Sequence, residues 1–340
     1  MKRIRSKRLR VVVLMHPSFV PPEDPEAYSE RERYQWKTEY DVLRTLRALG
    51  HEVLALGVQD ELRPITNIID EWHPDIFFNL LEEFLGQPEL DHHVVSFMEL
   101  KQVRYTGCRP RGLVLARDKA LAKKLVAYHR IQVPQFAVFP RGRRVRKPRN
   151  LEYPLIVKGL RVEGSAGIAQ ASIVDNDETF AERVTFIHES FDADVIAEEF
   201  IDGRELYVGI LGNKRLTVFP VWELTFDNLA PGTWAIATAN VKHNPDYQRR
   251  RGIFQKPAEL DDALRARIVK TSRRIYRILE LDGYARIDYR LKPDGSLHFL
   301  EANPNPELAL SEEFATSAGH VGVSYEALIQ RIVNLGLARA

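Results

Sequence analysis

The segment that most constrains this chain is Tyr284–Asn305, with the sequence YARIDYRLKPDGSLHFLEANPN. Asp294-Gly295 between two alternating runs predicts a β-hairpin, because a two-residue loop needs left-handed backbone that these residues tolerate. Such a loop makes Pro293 face Ser296. That register puts Asp288 directly opposite Glu301 and Arg286 opposite Asn303. Side chains alternate along a strand. One face therefore carries Arg286, Asp288, Glu301 and Asn303. The other carries Ile287, Tyr289, Leu300 and Ala302, which suit a core.

Two carboxylates opposed across a sheet repel each other, so this face needs a compensating cation. Oxygen donors without sulfur or imidazole suit a hard divalent ion such as Mg²⁺, with Mn²⁺ as an alternative. Mg²⁺ held by a few protein oxygens completes its shell with water and phosphate. Arg286 on the same face would neutralise charge on a transferring phosphoryl group. The competing reading is a surface salt-bridge ladder, with Arg286 and Arg290 balancing Asp288 and Glu301.

With 340 residues the chain exceeds one ordinary core and predicts two or three domains. The longest apolar runs, such as Val11–Met15, fall far short of a membrane span. The basic N-terminus (Lys2, Arg3, Arg5, Lys7, Arg8, Arg10) precedes a short β-branched run without a cleavage pattern, which fits a buried first strand better than a signal peptide. The single cysteine, Cys108, excludes an intrachain disulfide framework and a cysteine zinc site. A reducing, cytoplasmic setting is expected. A net charge of +2 gives no argument for nucleic acid. The N-terminal arm and Arg141–Arg149 lack the interleaved aromatics of a stacking platform, and both read as solvated.

The first hundred residues alternate strand and helix signals. Strands are predicted at Arg10–His16, Glu52–Val58, Asp75–Leu81 and Val103–Tyr105. Helices are predicted at Glu32–Leu49, Asp60–Trp72 and Gln87–Gln102. This βαβ series implies a parallel sheet with helices on its faces. A helix follows at Asp118–His129, then strands at Pro134–Phe139, Tyr153–Gly159, Ile168–Val174 and Val195–Phe200 around a helix at Asp177–Ser190. Beyond it come Glu205–Leu211, Arg215–Val221 and Ala235–Thr238 as strands. The Asp261–Leu279 helix, the hairpin and a closing helix at Ser324–Leu335 complete the chain.

Neither GxxxxGK[ST] nor GxGxxG occurs, so nucleotide binding must rest on other segments. Lys158 ends an apolar strand. Six residues later, Gly164-Ser165-Ala166-Gly167 is a loop whose N–H groups and hydroxyl could close on phosphates. Lys119 opens a helix. In Ala197–Glu205, extended backbone could hydrogen-bond an adenine edge, Phe200 and Ile201 could pack on the base, and Glu205 could accept from ribose. Each has a plainer reading: a tight turn, a solvated first-turn charge, or a strand–turn–strand with surface acids.

In this order these segments resemble the ATP-grasp superfamily and, within it, the D-alanine–D-alanine ligase-like branch. The resemblance also takes in Phe77–Glu82, Val103–Gly107, Asp118-Lys119, Glu301–Pro306 and Gly322–Tyr325. It implies an α/β protein (with α+β elements): a Rossmann-like N-terminal domain (1–112), a central ATP-grasp subdomain (113–204) and a C-terminal one with the metal site (205–340). It implies that Lys119, Lys158 and Ser165 contact phosphates, and that Glu198, Glu199, Phe200, Ile201 and Glu205 hold adenine and ribose. Asp288, Glu301 and Asn303 match magnesium ligands. Arg286, Lys242 and Ser165 match the catalytic positions. The implied activity is an ATP-dependent carboxylate–amine ligation through an acylphosphate, on small-molecule substrates. A homodimer through the N-terminal domain is compatible with the resemblance, and the sequence by itself does not show it.

The match departs at the substrate end. Glu307 stands where the family usually has a glycine, and Glu312 where a small hydroxyl residue helps hold a carboxylate. Either these acids favour an amine-bearing substrate, or they are solvent-facing helix N-terminal acids. Phe19–Arg33 replaces the usual loop after the first strand, residues 78–80 lack the histidine-glycine of the dipeptide ligases, and the glycine loop is slightly short. A binding protein of the same fold without turnover is the alternative, and the joint presence of Arg286, Asp288, Glu301 and Asn303 argues against it.

Overall fold

A computed structural model describes residues 8–24, 27–162 and 167–339. Three sheets follow one another along the chain. The first is parallel and ordered β2-β1-β3, from β1 (Arg10–Met15), β2 (Glu52–Gly57) and β3 (Ile76–Asn79). It is buried on both faces, which is why β1 is a continuous β-branched run. Val11, Val13 and Met15 pack towards Val42 and Leu46 of the helix Lys37–Ala48, while Val12 and Leu14 pack towards Ile65, Val94 and Met98. The strand expected at Val103–Tyr105 is a single parallel bridge between Tyr105 and Phe77. The closing helix, Tyr325–Leu337, packs back on this first sheet through Leu328, Ile329 and Ile332.

The second sheet is antiparallel and ordered β4-β7-β5-β6, from β4 (Phe136–Phe139), β5 (Leu155–Gly159), β6 (Ile173–Val174) and β7 (Val195–Glu199). One face carries Leu155, Val157, Val195 and Ala197 against the helix Asp177–Phe191. The other turns Ile196 towards Ala120 of the helix Lys119–Tyr128, and Glu198 shares that side by alternation.

The third sheet runs β11-β10-β8-β12-β13, with β9 beside β8, from β8 (Arg204–Leu211), β9 (Thr217–Val218), β10 (Trp222–Phe226), β11 (Ile253–Pro257), β12 (Tyr284–Leu291) and β13 (Leu297–Pro304). Two expectations need correction here, and three elements were not expected. Ala235–Thr238 is irregular chain leading into the helix Ala239–His243, not a strand. The strands β10 and β11 and the helix Glu313–His320 are not among the elements expected from the sequence. Arg215–Val221 supplies only the short β9.

The hairpin forms, with Asp288 opposite Glu301 and Arg286 opposite Asn303 as expected. Its loop is different. Lys292 N–H donates to Ser296 O at 2.9 Å and Gly295 N–H to Lys292 O at 2.9 Å, so three residues, Pro293 to Gly295, make the turn. Gly295 takes φ +81°, as such a turn requires. This shifts the register by one, to Tyr289 opposite Phe299 and Leu291 opposite Leu297. A β-bulge at Leu300 shifts it back before the site. Two offsets cancel. As a result Leu300, expected on the apolar face, lines a cleft instead, and Phe299 takes its place in the core beside Ile287 and Tyr289.

Candidate active site

The hairpin's charged face is not displayed at the surface, which argues against the ladder reading: Asp288 is 4% exposed, and Arg286, Glu301 and Asn303 are half-buried. Burial raises the Asp288 carboxyl above its ordinary value, and Arg286 opposes that rise. Arg286 grips Asp288 with two bonds, Nε to Oδ1 at 2.7 Å and Nη2 to Oδ2 at 2.9 Å. Its Nη1 reaches Glu313, and its guanidinium lies 4.9 Å from the centre of the Tyr207 ring. Asn303 donates Nδ2 to Asp288 Oδ2 at 2.9 Å.

Glu301 faces lysines. Lys119 Nζ lies 3.8 Å from its carboxylate and donates to Val162 O at 2.8 Å. Lys119 is buried, not a solvated first-turn charge; Asp118 caps its helix by accepting from Leu121 N–H. Burial would raise the Glu301 carboxyl, but Lys119, Lys158, Lys242 and Lys123 together hold it far below the carboxylate range. Lys242 enters this field from the helix Ala239–His243, which Tyr34 secures by donating to Lys242 O at 3.2 Å.

Lys158 and Lys123 meet at Glu198. Glu198 is 1% exposed, with Lys123 Nζ at 2.9 Å and Lys158 Nζ at 3.3 Å. The carboxylate expected to reach an adenine amino group thus pairs with two lysines and lines the cleft beside Glu199, Phe200 and Ile201. Burial lowers the Lys123 ammonium to about 8, and Glu198 offsets part of that fall. Lys123 also donates to the carbonyl that the bulge frees at Leu300. Sequence reasoning missed Lys123, although it lies one helical turn from Lys119 and so shares its face. It also missed Glu313, and it set Arg290 against Asp288 and Glu301 in a surface ladder where the structure pairs it with Glu205.

Glu205 accepts from Arg290 at 2.6 Å and from Tyr207 Oη at 2.8 Å. Phe200 packs edge-on to Trp234 at 4.9 Å between ring centres, and its N–H is given to Pro154 O. Glu199, Phe200, Ile201, Lys158, Lys242, Leu300 and Glu301 line one cleft between the second and third sheets, with 70 Å³ of open space. Ser165 and the rest of Gly164–Ala166 lie outside the described residues; the chain resumes at Gly167, whose carbonyl accepts from Arg183.

The donor set passes a chemical test for magnesium. Asp288 and Glu301 are in direct register, and Asn303 adjoins them. Among the described residues no three carboxylate, histidine or cysteine side chains converge. Asp288, Glu301 and Asn303 offer side-chain oxygens, the donor type that a hard ion such as Mg²⁺ takes.

A family model described as D-ala D-ala ligase C-terminus matches residues 125–334. This chain belongs to the D-alanine–D-alanine ligase family. That places it among ATP-dependent ligases that form carbon–nitrogen bonds. It is 32% identical over 240 residues to a D-alanine–D-alanine ligase of Bordetella petrii, covering 70% of this chain and 69% of that one. It is 28% identical over 306 residues to an uncharacterized protein of Sinorhizobium fredii, covering 88% and 87%. A crystal structure of the Bacillus anthracis D-alanine–D-alanine ligase complexed with ATP superposes with TM-score 0.74, at 20% identity and 97% coverage of both chains. That likeness shows the ATP-grasp fold of this family.

Proposed function

We propose that this ligase joins a small carboxylic acid to an amine at the hairpin, using ATP and Mg²⁺. The observation that carries the reading is the buried face itself, with opposed Asp288 and Glu301 ringed by Lys119, Lys158, Lys242 and Arg286. Such a surplus of cations around two carboxylates suits a triphosphate with its metal.

In the first step a substrate carboxylate oxygen attacks the γ-phosphorus, the bond to the β-phosphate oxygen breaks, and ADP leaves. In the second the amine nitrogen attacks the acyl carbon, loses a proton, and expels inorganic phosphate. Lys119, Lys158 and Lys242 hold the phosphates, and Ser165 is assigned there by resemblance. Arg286, kept rigid by Asp288 and Glu313, faces the transferring group. Glu198 orients Lys123 and Lys158 and lines the cleft where the resemblance assigns it the adenine amino group. Glu199, Phe200 and Ile201 border the adenine, and Glu205 the ribose. Asp288, Glu301 and Asn303 would hold Mg²⁺, which lowers the charge on the transferring phosphate when bound.

In this reading ATP lies in the open cleft between the second and third sheets, at the division near 204. A cytoplasmic setting belongs to the same reading: Cys108 is buried, its thiol donates to Asp282 O at 2.9 Å, and burial pushes its pKa up to about 12. Among the described residues no helix is long and apolar enough to cross a membrane.

The test is ADP release from ATP and Mg²⁺ over amino acids of both configurations, followed by mass spectrometry of the product. ADP appearing only with an acid and an amine together, with a product one water lighter than their sum, is the expected result. ATP binding without ADP release across the panel would overturn the reading in favour of a binding protein.

A further inference from the structure

Strand β13 leads out of the nucleotide cleft into a second, larger cavity. It begins at Pro304 and Asn305, immediately beyond Asn303, and encloses 390 Å³. Lys37, Thr38, Glu39, Glu82 and Glu307 line it.

Its charge is unusual. Lys37 Nζ lies 3.2 Å from Glu307 and also contacts Glu312, so one cation serves two carboxylates. It sits 4.0 Å from the centre of the Tyr34 ring, and Thr38 donates to Glu307 at 3.3 Å. Glu307 and Glu312 are therefore not merely solvent-facing helix acids. Arg117, also on the cavity wall, is bound to Asp91 at 2.5 Å. Glu39 is the independent observation. It is 7% exposed, faces the cavity, takes a hydrogen bond from its own backbone N–H, and among the described residues has no ion pair. Burial, with Glu82 and Glu307 adding like charge, pushes its carboxyl up to about 8. A carboxyl so placed is stable as the neutral acid until a cation arrives.

We propose that this cavity is the subsite for an amino-acid substrate with a basic side chain, whose terminal ammonium seats against Glu39 with Glu82 and Glu307 around it. The proposal rests on the ligase reading and names its substrate class. An incoming ammonium supplies the counter-charge Glu39 lacks, and Glu39 ionises to accept a charge-assisted bond. A neutral side chain of equal length leaves the same carboxyl desolvated and unmatched. The cavity also exceeds what a methyl side chain fills, and its volume lies within the range of small-molecule sites. A site built around a polar substrate group rejects the analogue without it strongly, here by at least about 100-fold.

The experiment compares ornithine with norvaline and lysine with norleucine, in both configurations, on the full chain with ATP and Mg²⁺. The readouts are kcat/KM for ADP release and the thermal shift each amino acid produces. The expected result is a preference of at least about 100-fold for the basic member of each pair, falling below about 10-fold in Glu39→Gln. Glu307→Gln serves as the second variant, expected to weaken the preference, and the KM for ATP stays unchanged in both. Neutral members turning over as well as basic ones would overturn the inference and leave the ligase reading intact. An unaltered preference in a folded Glu39→Gln would overturn it too. ATP binding with no ADP release from any amino acid would overturn the ligase reading and this inference with it.

Discussion

The two cavities along β13 are neighbours with opposite electrostatics. At the hairpin, Lys119, Lys123, Lys158, Lys242, Arg286 and Arg290 surround Glu198, Glu205, Asp288 and Glu301, with Glu313 behind Arg286. Beyond Asn303 the order reverses: Lys37 and Arg117 are the cations on a wall that carries Glu39, Glu82 and Glu307, with Glu312 beside Lys37. A cation surplus next to an acid surplus lets one strand present a polyanionic nucleotide to a cationic substrate. The difference teaches that neighbouring sites on one fold evolve separately. The hairpin end carries the cations, while Glu307 and Glu312 put acids at the other end.

The comparison breaks most severely at Glu198. Glu198→Gln leaves Lys123 and Lys158 buried without their carboxylate, and breaking such pairs costs about 3–5 kcal/mol. Urea denaturation measures it; no loss would mean the lysines find other partners and the cleft is not organised around Glu198. Arg286→Ala removes a preorganised donor and should lower kcat about 10²–10³-fold in the ADP-release assay. A change confined to KM would place Arg286 in ground-state binding instead.

The acid side is tested through pH. Glu39 has its folded pKa raised to about 8 from 4.5. A raised carboxyl contributes stability that is fully present below the unfolded value and is lost as pH rises through the folded one. Glu39→Gln removes that loss, so its melting temperature relative to the parent should climb between about pH 5 and pH 9. Lys37, Glu82 and Glu307 face the same group, and a flat difference would show that they compensate it. The smallest effect belongs to the Arg141–Arg149 loop. Arg143, Arg144 and Arg146 are exposed, so replacing all three by alanine should leave turnover unchanged and stability within about 0.5 kcal/mol each.

How much of this was legible in the sequence depends on range. The parallel sheet was, because β1 to β3 and their helices carry strong periods. The hairpin site was too, because Asp-Gly and alternation are local. The register was right at Asp288 only because a three-residue loop and the bulge at Leu300 offset each other, and neither leaves a mark in composition. Lys123 was within reach of helical spacing. Glu313 and Lys37 were not, since each meets its partners through chain brought back from far away in sequence. That two lysines flank Glu198 was not legible either, since Lys158 and Lys123 reach it from another strand and a helix.

The most direct test of the account is ADP release by Asp288→Asn and Glu301→Gln beside the parent, at saturating ATP and Mg²⁺, with thermal melting to confirm folding. The account predicts that both variants fold and that both lose turnover by about 10³-fold or more. Full activity in the two folded variants would contradict it, and the opposed carboxylates would then be structural.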